Sequence, residues 1–110
     1  MNAALDLLSE AHQSLRQDLA PALGGEARLS ALLAANAVAT ARREVALCAR
    51  LAAAAAELPR DPEAIRSGAH DDDVETYKRI LAVAVLRAHV ADPSAVTEDE
   101  RRTWIGEADE

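Results

Sequence analysis

The stretch that decides the fold lies between residues 26 and 58 and reads EARLSALLAANAVATARREVALCARLAAAAAEL. It contains neither Gly nor Pro, and its commonest residue is alanine, the strongest helix former. The stretch predicts one uninterrupted helix, which Pro59 ends. At 1.5 Å per residue such a helix is about 50 Å long, whereas a compact chain of this size is only about 35 Å across. We expect the helix either to bend or to pack against a second copy of the chain, and we favour the homodimer.

A second helix is predicted before this stretch. Apolar residues and His12 recur at steps of three and four between Leu5 and Leu19, which is typical of the buried seam of an amphipathic helix. Asn2 is a suitable N-cap for a helix from about Ala3 to Ala20, and Pro21 with Gly24-Gly25 is expected to stop the helix and make the turn.

Two further helices are predicted after Pro59. Asp61 followed by Pro62 favours the start of a short helix, and Gly68 its end. Asp72 and Glu75 have the spacing of a capping box, which predicts a helix over about residues 73–91. Residues 80–86 are apolar on every side, so we expect neighbours all round the middle of that helix. One last short helix can begin at residue 97 and reach residue 104.

These elements predict an all-α fold, a small antiparallel helical bundle around one long central helix of about residues 26–58, assembled as a dimer. Residues 1–93 are expected to form a single helical domain, and residues 94–110 an acidic and mobile C-terminal tail. Seven of the 19 acidic residues lie in residues 92–110 against two arginines, so this segment carries −5 of the net charge of −7.

Charge and hydropathy exclude several classes of function. No stretch has the excess of Lys and Arg that nucleic-acid binding needs. No apolar run approaches the roughly 20 residues that span a bilayer. The N-terminus lacks the positive region and apolar run of a signal peptide, and the chain has one cysteine. We therefore expect a cytoplasmic protein without nucleic-acid or membrane partners.

One face of the long helix breaks the expected pattern. Leu29, Leu33 and Leu47 form an apolar stripe that is interrupted by three polar residues, Asn36, Thr40 and Arg43. Polar groups removed from water need partners, and the available candidates are Glu44, His12 and Tyr77. This set predicts either a polar network that sets helix register or a dimer interface. The alternative is a pocket in which the Arg43 guanidinium holds an anionic ligand.

The residues of known catalytic motifs are missing. The serines follow no nucleophile motif, and there is no glycine-rich phosphate loop or paired-histidine zinc motif. His70 and the three aspartates after it are of metal-binding types, but capping of the next helix already explains the acids. Cys48 shares a helical face with small apolar residues and is expected to be buried. We expect no catalytic residues, no cofactor and no metal.

Four runs of sequence carry a resemblance to a known family. They are residues 15–23, residues 28–37, Arg43-Glu44-Val45, and the run from Leu81 to Pro93. Together they resemble a bacterial family of uncharacterised small all-helical proteins, which are often encoded beside aminoglycoside-phosphotransferase-like kinases and acyl-CoA dehydrogenases. The resemblance covers roughly residues 3–93 and leaves out the acidic tail.

The resemblance implies an accessory role. Its gene neighbourhood suggests a partner that is a phosphotransferase-like or acyl-CoA dehydrogenase enzyme. The residues that match the family pattern include Asn36, Arg43 and Glu44, which are also the polar residues that interrupt the apolar stripe. The leading hypothesis is therefore a helical accessory protein that acts by binding another protein, and the alternative is an anionic-ligand-binding or catalytic protein.

Overall fold

A computed structural model describes residues 2–106, and over this part of the chain the fold is all-α, as predicted. The chain is 82% helical and has no strand among the described residues. It divides between residues 46 and 47 into two compact units, which are described separately below. Within residues 2–106, no helix combines the length and the apolar character needed to cross a membrane.

The long helix is confirmed. It spans Gly25–Ala56, is labelled α3, and is about 48 Å long at 1.5 Å per residue. Its first 22 residues belong to the first unit and the rest to the second. After Ala56 the chain makes a tighter turn, because the amides of Glu57 and Leu58 bond to carbonyls three residues back, at 3.2 Å each. Pro59 then prevents continuation, as the sequence predicted.

The first unit starts with α1, Ala3–Gln13, which the Asn2 side chain caps. A π-helical turn, Ser14–Leu19, and a short helix α2, Ala20–Ala22, follow without a break. The helical segment therefore passes through Pro21, where the sequence predicted its end. A proline inside an α-helix lacks a donor and collides with the carbonyl four residues back. The wider turn that precedes Pro21 relieves this collision.

The π-helical turn also changes which residue is buried. In this turn the amide of Ala20 bonds to the carbonyl of Leu15, five residues back, so each turn holds one residue more than in an α-helix. The buried seam moves forward by one position. Ala20 is 1% exposed and Leu19 is 52% exposed, although the leucine periodicity predicted that Leu19 was buried.

In this unit a face of small residues on α3 is the buried one. Ala31 and Ala35 are buried, and Arg42 lies on the same face seven residues after Ala35. Arg42 Nε donates a hydrogen bond of 2.5 Å to Ser9 Oγ on α1. Alanine lets helix backbones approach closely, so this face and not the leucine stripe is directed toward α1.

The second unit contains two of the predicted helices. The short helix α4, Pro62–Arg66, is capped by Asp61, and the chain leaves it through Gly68 at φ +81, a conformation that side chains disfavour. The helix α5 spans Val74–Ala91. Its N-cap is Asp73, one residue later than the Asp72 of the predicted capping box. The Asp73 carboxylate accepts hydrogen bonds from the amides of Glu75 and Thr76 and from the Thr76 hydroxyl, the last at 2.7 Å.

The core of the second unit joins three separate parts of the chain. Its buried members are Leu47 from α3, Val85 and Leu86 from α5, and Ile105 from the C-terminal segment. Half-buried apolar side chains pack around them: Leu51, Ala54, Leu81, Val90, Val96 and Trp104. The C-terminal segment is thus part of the folded core.

The C-terminal segment is helical in short pieces. A 3-10 turn, Pro93–Ala95, is followed by α6, Glu98–Glu100, and by a second π-helical turn, Arg101–Ile105. Thr97 and Glu100 form a reciprocal capping box, which agrees with the short helix predicted from residue 97 to residue 104. The tail predicted for residues 94–110 differs from this arrangement, because residues 96, 104 and 105 pack in the core. Residues 107–110 lie outside the described residues.

Arg50 on α3 forms hydrogen bonds with this segment. Its guanidinium donates through Nη1 to the carbonyl oxygen of Ile105, at 2.7 Å, and through Nη2 to the carbonyl oxygen of Trp104. The last carbonyls of a helix have no partner within the helix, so a charged donor from another element satisfies them.

The cap of α5 makes a prediction about pH. Hydrogen bonds from the Thr76 hydroxyl and amide, and from the Glu75 amide, hold the pKa of the Asp73 carboxyl below its ordinary value of 3.8, and the nearby His70 acts in the same direction. The unfolded chain therefore takes up a proton on this group more readily than the folded chain. The stabilisation by the charged cap is fully present above about pH 4 and is lost as the pH falls through the lower folded-state pKa.

We expect Asp73→Asn, which keeps a capping side chain without the charge, to lose less stability than the native chain between about pH 4 and pH 2.5. The measurement is the urea midpoint, followed by circular dichroism, across this range. Asp72→Asn is the matched control and should follow the native profile, because Asp72 is not the N-cap. If Asp72→Asn flattens the profile and Asp73→Asn does not, the cap is the one that the sequence pattern indicated.

Candidate functional site

The predicted polar face of α3 is exposed at its N-terminal end. Leu29 and Leu33 are 57% and 61% exposed, and the Asn36 side chain is exposed beside them. Farther along the same face, Thr40 and Arg43 are half-buried, and Leu47 is fully buried in the second unit. The stripe is therefore not an interior seam along its whole length. An alanine-rich helix offers two apolar faces, and in the first unit the fold buries the alanine face.

Three of the predicted site residues come together on this face. The Thr40 hydroxyl donates a hydrogen bond of 3.0 Å to the backbone carbonyl of Asn36, and Arg43 Nη2 donates to the same hydroxyl at 3.1 Å. Each contact spans one turn of the same helix, so the Arg43 guanidinium is oriented locally. The result is a short polar patch that continues the exposed leucine pair. We refer to Leu29, Leu33, Asn36, Thr40 and Arg43 as the α3 face.

The other three predicted residues are placed differently. Glu44 is exposed on α3. His12 is half-buried on α1, in the seam of the first unit. Tyr77 is 65% exposed on α5 and belongs to the second unit, at the edge of a groove described below.

Sequence reasoning missed the arginines that connect separate elements. Arg42 contacts Ser9, and Arg50 contacts the carbonyls of residues 104 and 105, whereas the sequence pattern indicated Arg43. A signal for Arg42 was present, because it follows Ala35 at the heptad spacing of the small-residue face. Cys48, expected to be buried, is exposed on α3.

A second candidate site is a groove of about 400 Å³ within the second unit. It lies among α4, α5 and the turn that follows α3. Its lining consists of Leu58, Pro59, Ile65, His70, Asp71, Thr76, Tyr77 and Ile80. Ile65, Tyr77 and Ile80 are more than half exposed. Ile80 begins the apolar run 80–86 of α5, so this run does not have neighbours on every side, contrary to the sequence prediction. Such a concave apolar surface with a few polar groups has the character of a small-ligand site.

An acidic hollow adjoins the groove and shares two residues with it. Asp71 and Tyr77 line both, and the hollow is completed by Asp72, Asp73 and Val74. Within residues 2–106, no three His, Cys, Asp or Glu side chains are grouped as metal ligands would be. Taken together, the two hollows are lined by apolar side chains at one end and by aspartates at the other.

Within residues 2–106, the fold is all-α, and the surface carries an exposed face of leucine and polar residues and an amphipathic groove. Compared with family models, with curated proteins and with solved structures, the chain finds no match in any of the three.

Proposed function

We propose that this protein is a homodimeric helical accessory protein whose two copies pair through the α3 face and which, as a dimer, binds another protein. The observation that carries the proposal is the exposure of Leu29 and Leu33, each more than half accessible, on a helix whose opposite face is packed. Two large apolar side chains one turn apart, followed by polar groups, have the form of a helix face that docks in a partner's groove. Association removes their apolar surface from water.

The polar members of the face support specificity. Arginine is enriched at interface centres, where its guanidinium donates several hydrogen bonds in a fixed geometry. Thr40 already orients that guanidinium, so part of the entropy cost of ordering it is met before binding. Asn36, exposed next to Leu33, offers both a donor and an acceptor to a partner.

A second copy of the chain is the first partner proposed. In a homodimer with twofold symmetry the same leucine pair from each chain meets across the axis, so one short apolar patch is sufficient to cover both. The length of α3, about 48 Å, gives room for such antiparallel pairing, and we extend the proposal to an antiparallel helical bundle formed by the two copies.

The further partner is proposed from the family resemblance. It is a phosphotransferase-like or acyl-CoA dehydrogenase enzyme, which the dimer binds or stabilises. We also propose that this takes place in the cytoplasm.

The experiment combines two substitutions on the face. Leu29→Ser with Leu33→Ser is expected to weaken self-association at least about tenfold, because removing a leucine side chain from water contributes on the order of 1 kcal/mol or more. The readout is the molar mass across a dilution series, measured by light scattering after gel filtration. Helical content by circular dichroism should stay at the native level, because neither side chain is buried in the single chain.

The matched control is Leu7→Ser, which changes an exposed leucine on α1 outside the α3 face. It should leave the molar mass unchanged. A native chain that is monomeric at all concentrations contradicts the dimer. Purification from the native host tests the second partner, and recovery without either enzyme class contradicts that part of the proposal.

A further inference from the structure

The apolar groove of the second unit is built from side chains that have no part in the proposed protein-binding face. Leu58, Ile65 and Ile80 form its apolar walls, and Ile65 and Ile80 keep more than half of their surface accessible. Its volume of about 400 Å³ lies in the range of small-molecule sites. A ligand with an apolar body would therefore remove surface from water on both sides of the contact.

The charge at one end of the groove is dominated by three aspartates, which outnumber one histidine. Asp71 belongs to both the groove and the acidic hollow, and Asp72 and Asp73 line the hollow beyond it. The described linings of the two hollows include one histidine, His70, and no lysine or arginine. Asp73 is committed to capping α5, so Asp71 and Asp72 are the acids that present charge to a ligand. A cation is attracted to this end and an anion is repelled.

The Asp71 carboxylate lies against Gly68, in the turn that follows α4. A Cβ atom at Gly68 would lie only 2.8 Å from Asp71 Oδ2, so the carboxylate occupies space that only glycine leaves open. Gly68 also has φ +81, which a side chain disfavours. The turn that ends α4 therefore leaves room for this carboxylate beside Gly68, in the lining of the groove.

An aromatic ring stands between the apolar and the acidic parts. Tyr77 lines both hollows and is among the most exposed large side chains of the chain. Tyrosine rings attract cations to their faces, and a ring beside carboxylates is a common way to bind an organic ammonium group.

We propose that the groove binds a small amphipathic cation, with its apolar body along Leu58, Ile65 and Ile80 and its charged head between the Asp71 carboxylate and the ring of Tyr77. An anionic ligand of the same length is disfavoured by the aspartates. A neutral one gains the apolar contacts but not the charge. The ligand class is thus a hydrophobic amine or quaternary ammonium compound, and the proposal is independent of the α3 face.

The test uses octyltrimethylammonium below its micellar range, with octanoate and octan-1-ol as an anionic and a neutral probe of equal chain length. Binding to the full chain is followed by NMR through the ring signals of Tyr77, the only tyrosine. The amide signals of the other groove residues report the site. We expect saturable shifts of these signals with the ammonium compound, weaker shifts with octan-1-ol, and none with octanoate.

Two variants distinguish the contribution of charge to ligand binding from that of the apolar contacts. Asp71→Asn should weaken ammonium binding at least about threefold, as expected for a partly exposed charge, and should leave octan-1-ol binding at its native level. Its matched control, Asp18→Asn, neutralises an exposed acid of the first unit and should bind the ammonium compound like the native chain. Amide spectra of both variants confirm that they are folded.

Several outcomes overturn the proposal. The proposal is wrong if octanoate binds as tightly as the ammonium compound or if the signal changes map outside the groove. It is also wrong if no probe gives a saturable shift. If the Tyr77 signals shift with protein concentration alone, a second copy of the chain covers the groove, and the proposal is likewise wrong. None of these outcomes bears on Leu29 and Leu33, so the protein-binding role is tested separately.

Discussion

Replacing Leu47 with alanine is expected to lower the free energy of unfolding by about 2–5 kcal/mol, the range for leucine-to-alanine changes in well-packed cores. Leu47 is 0% exposed and belongs to the buried cluster with Val85, Leu86 and Ile105. Deleting three carbons removes apolar burial and leaves a cavity that three separate chain segments must close. The measurement is urea unfolding, followed both by circular dichroism and by the fluorescence of Trp104, which packs against this cluster.

The matched control for this substitution is Leu7→Ala. Leu7 is an exposed leucine on α1, and its loss is expected to change stability by no more than about 0.5 kcal/mol. If Leu47→Ala unfolds at the same urea concentration as this control, residue 47 is not at the centre of a packed core.

Ile105→Ala has the second large expected effect, again about 2–5 kcal/mol of destabilisation. Ile105 is 3% exposed, although it lies in the segment that the sequence predicted to be a mobile tail. The substitution therefore decides between a packed C-terminal segment and a tail. Because Ile105 and Leu47 share one cluster, the double variant should lose less stability than the two single losses added together.

Ile65→Ala is the control for Ile105. Ile65 has half of its surface exposed on α4, so its truncation should cost about 1 kcal/mol or less. Equal unfolding midpoints for the two isoleucine variants would mean that residues 94–105 add nothing to the core and that the tail prediction was right for them.

The helices could be predicted from the sequence because the residues that start, extend and end a helix act locally. Alanine-rich composition predicted the long helix, and Pro59 marked where it stops. Asp61 with Pro62 and Gly68 marked both ends of α4, and the structure agrees at each of these positions. Helix propensity, capping and proline restriction act within one turn, so a single sequence contains the needed information.

Which side of each helix is buried was harder to predict from the sequence. Leucine periodicity indicated Leu19 as a seam residue, yet a π-helical turn ahead of Pro21 moved the seam to Ala20. On α3 the leucine stripe was compatible with an interior seam, a dimer interface or a pocket, and the first unit buries Ala31 and Ala35 and exposes Leu29 and Leu33. Periodicity identifies faces, but it does not tell which of two faces a neighbouring helix will cover.

Of the two candidate sites, one could be recognised in the sequence and the other could not. The polar interruption of the α3 stripe was visible in the sequence, and the structure brings Asn36, Thr40 and Arg43 together on it. The groove was not predicted, because its walls come from α4, α5 and the turn after α3, which are separate in sequence. The same holds for the bonds from Arg50 to the carbonyls of residues 104 and 105.

By itself, the sequence determined that this chain is helical and where most of its helices begin and end, since those properties depend on residues one turn apart. Only the tertiary structure decided that Leu47 and Ile105 share a core, that Leu29 and Leu33 face outward, and that the C-terminal segment is packed. These properties depend on contacts between residues up to 58 positions apart, and such contacts form wherever the whole chain buries its apolar surface at least cost in unpaired polar groups.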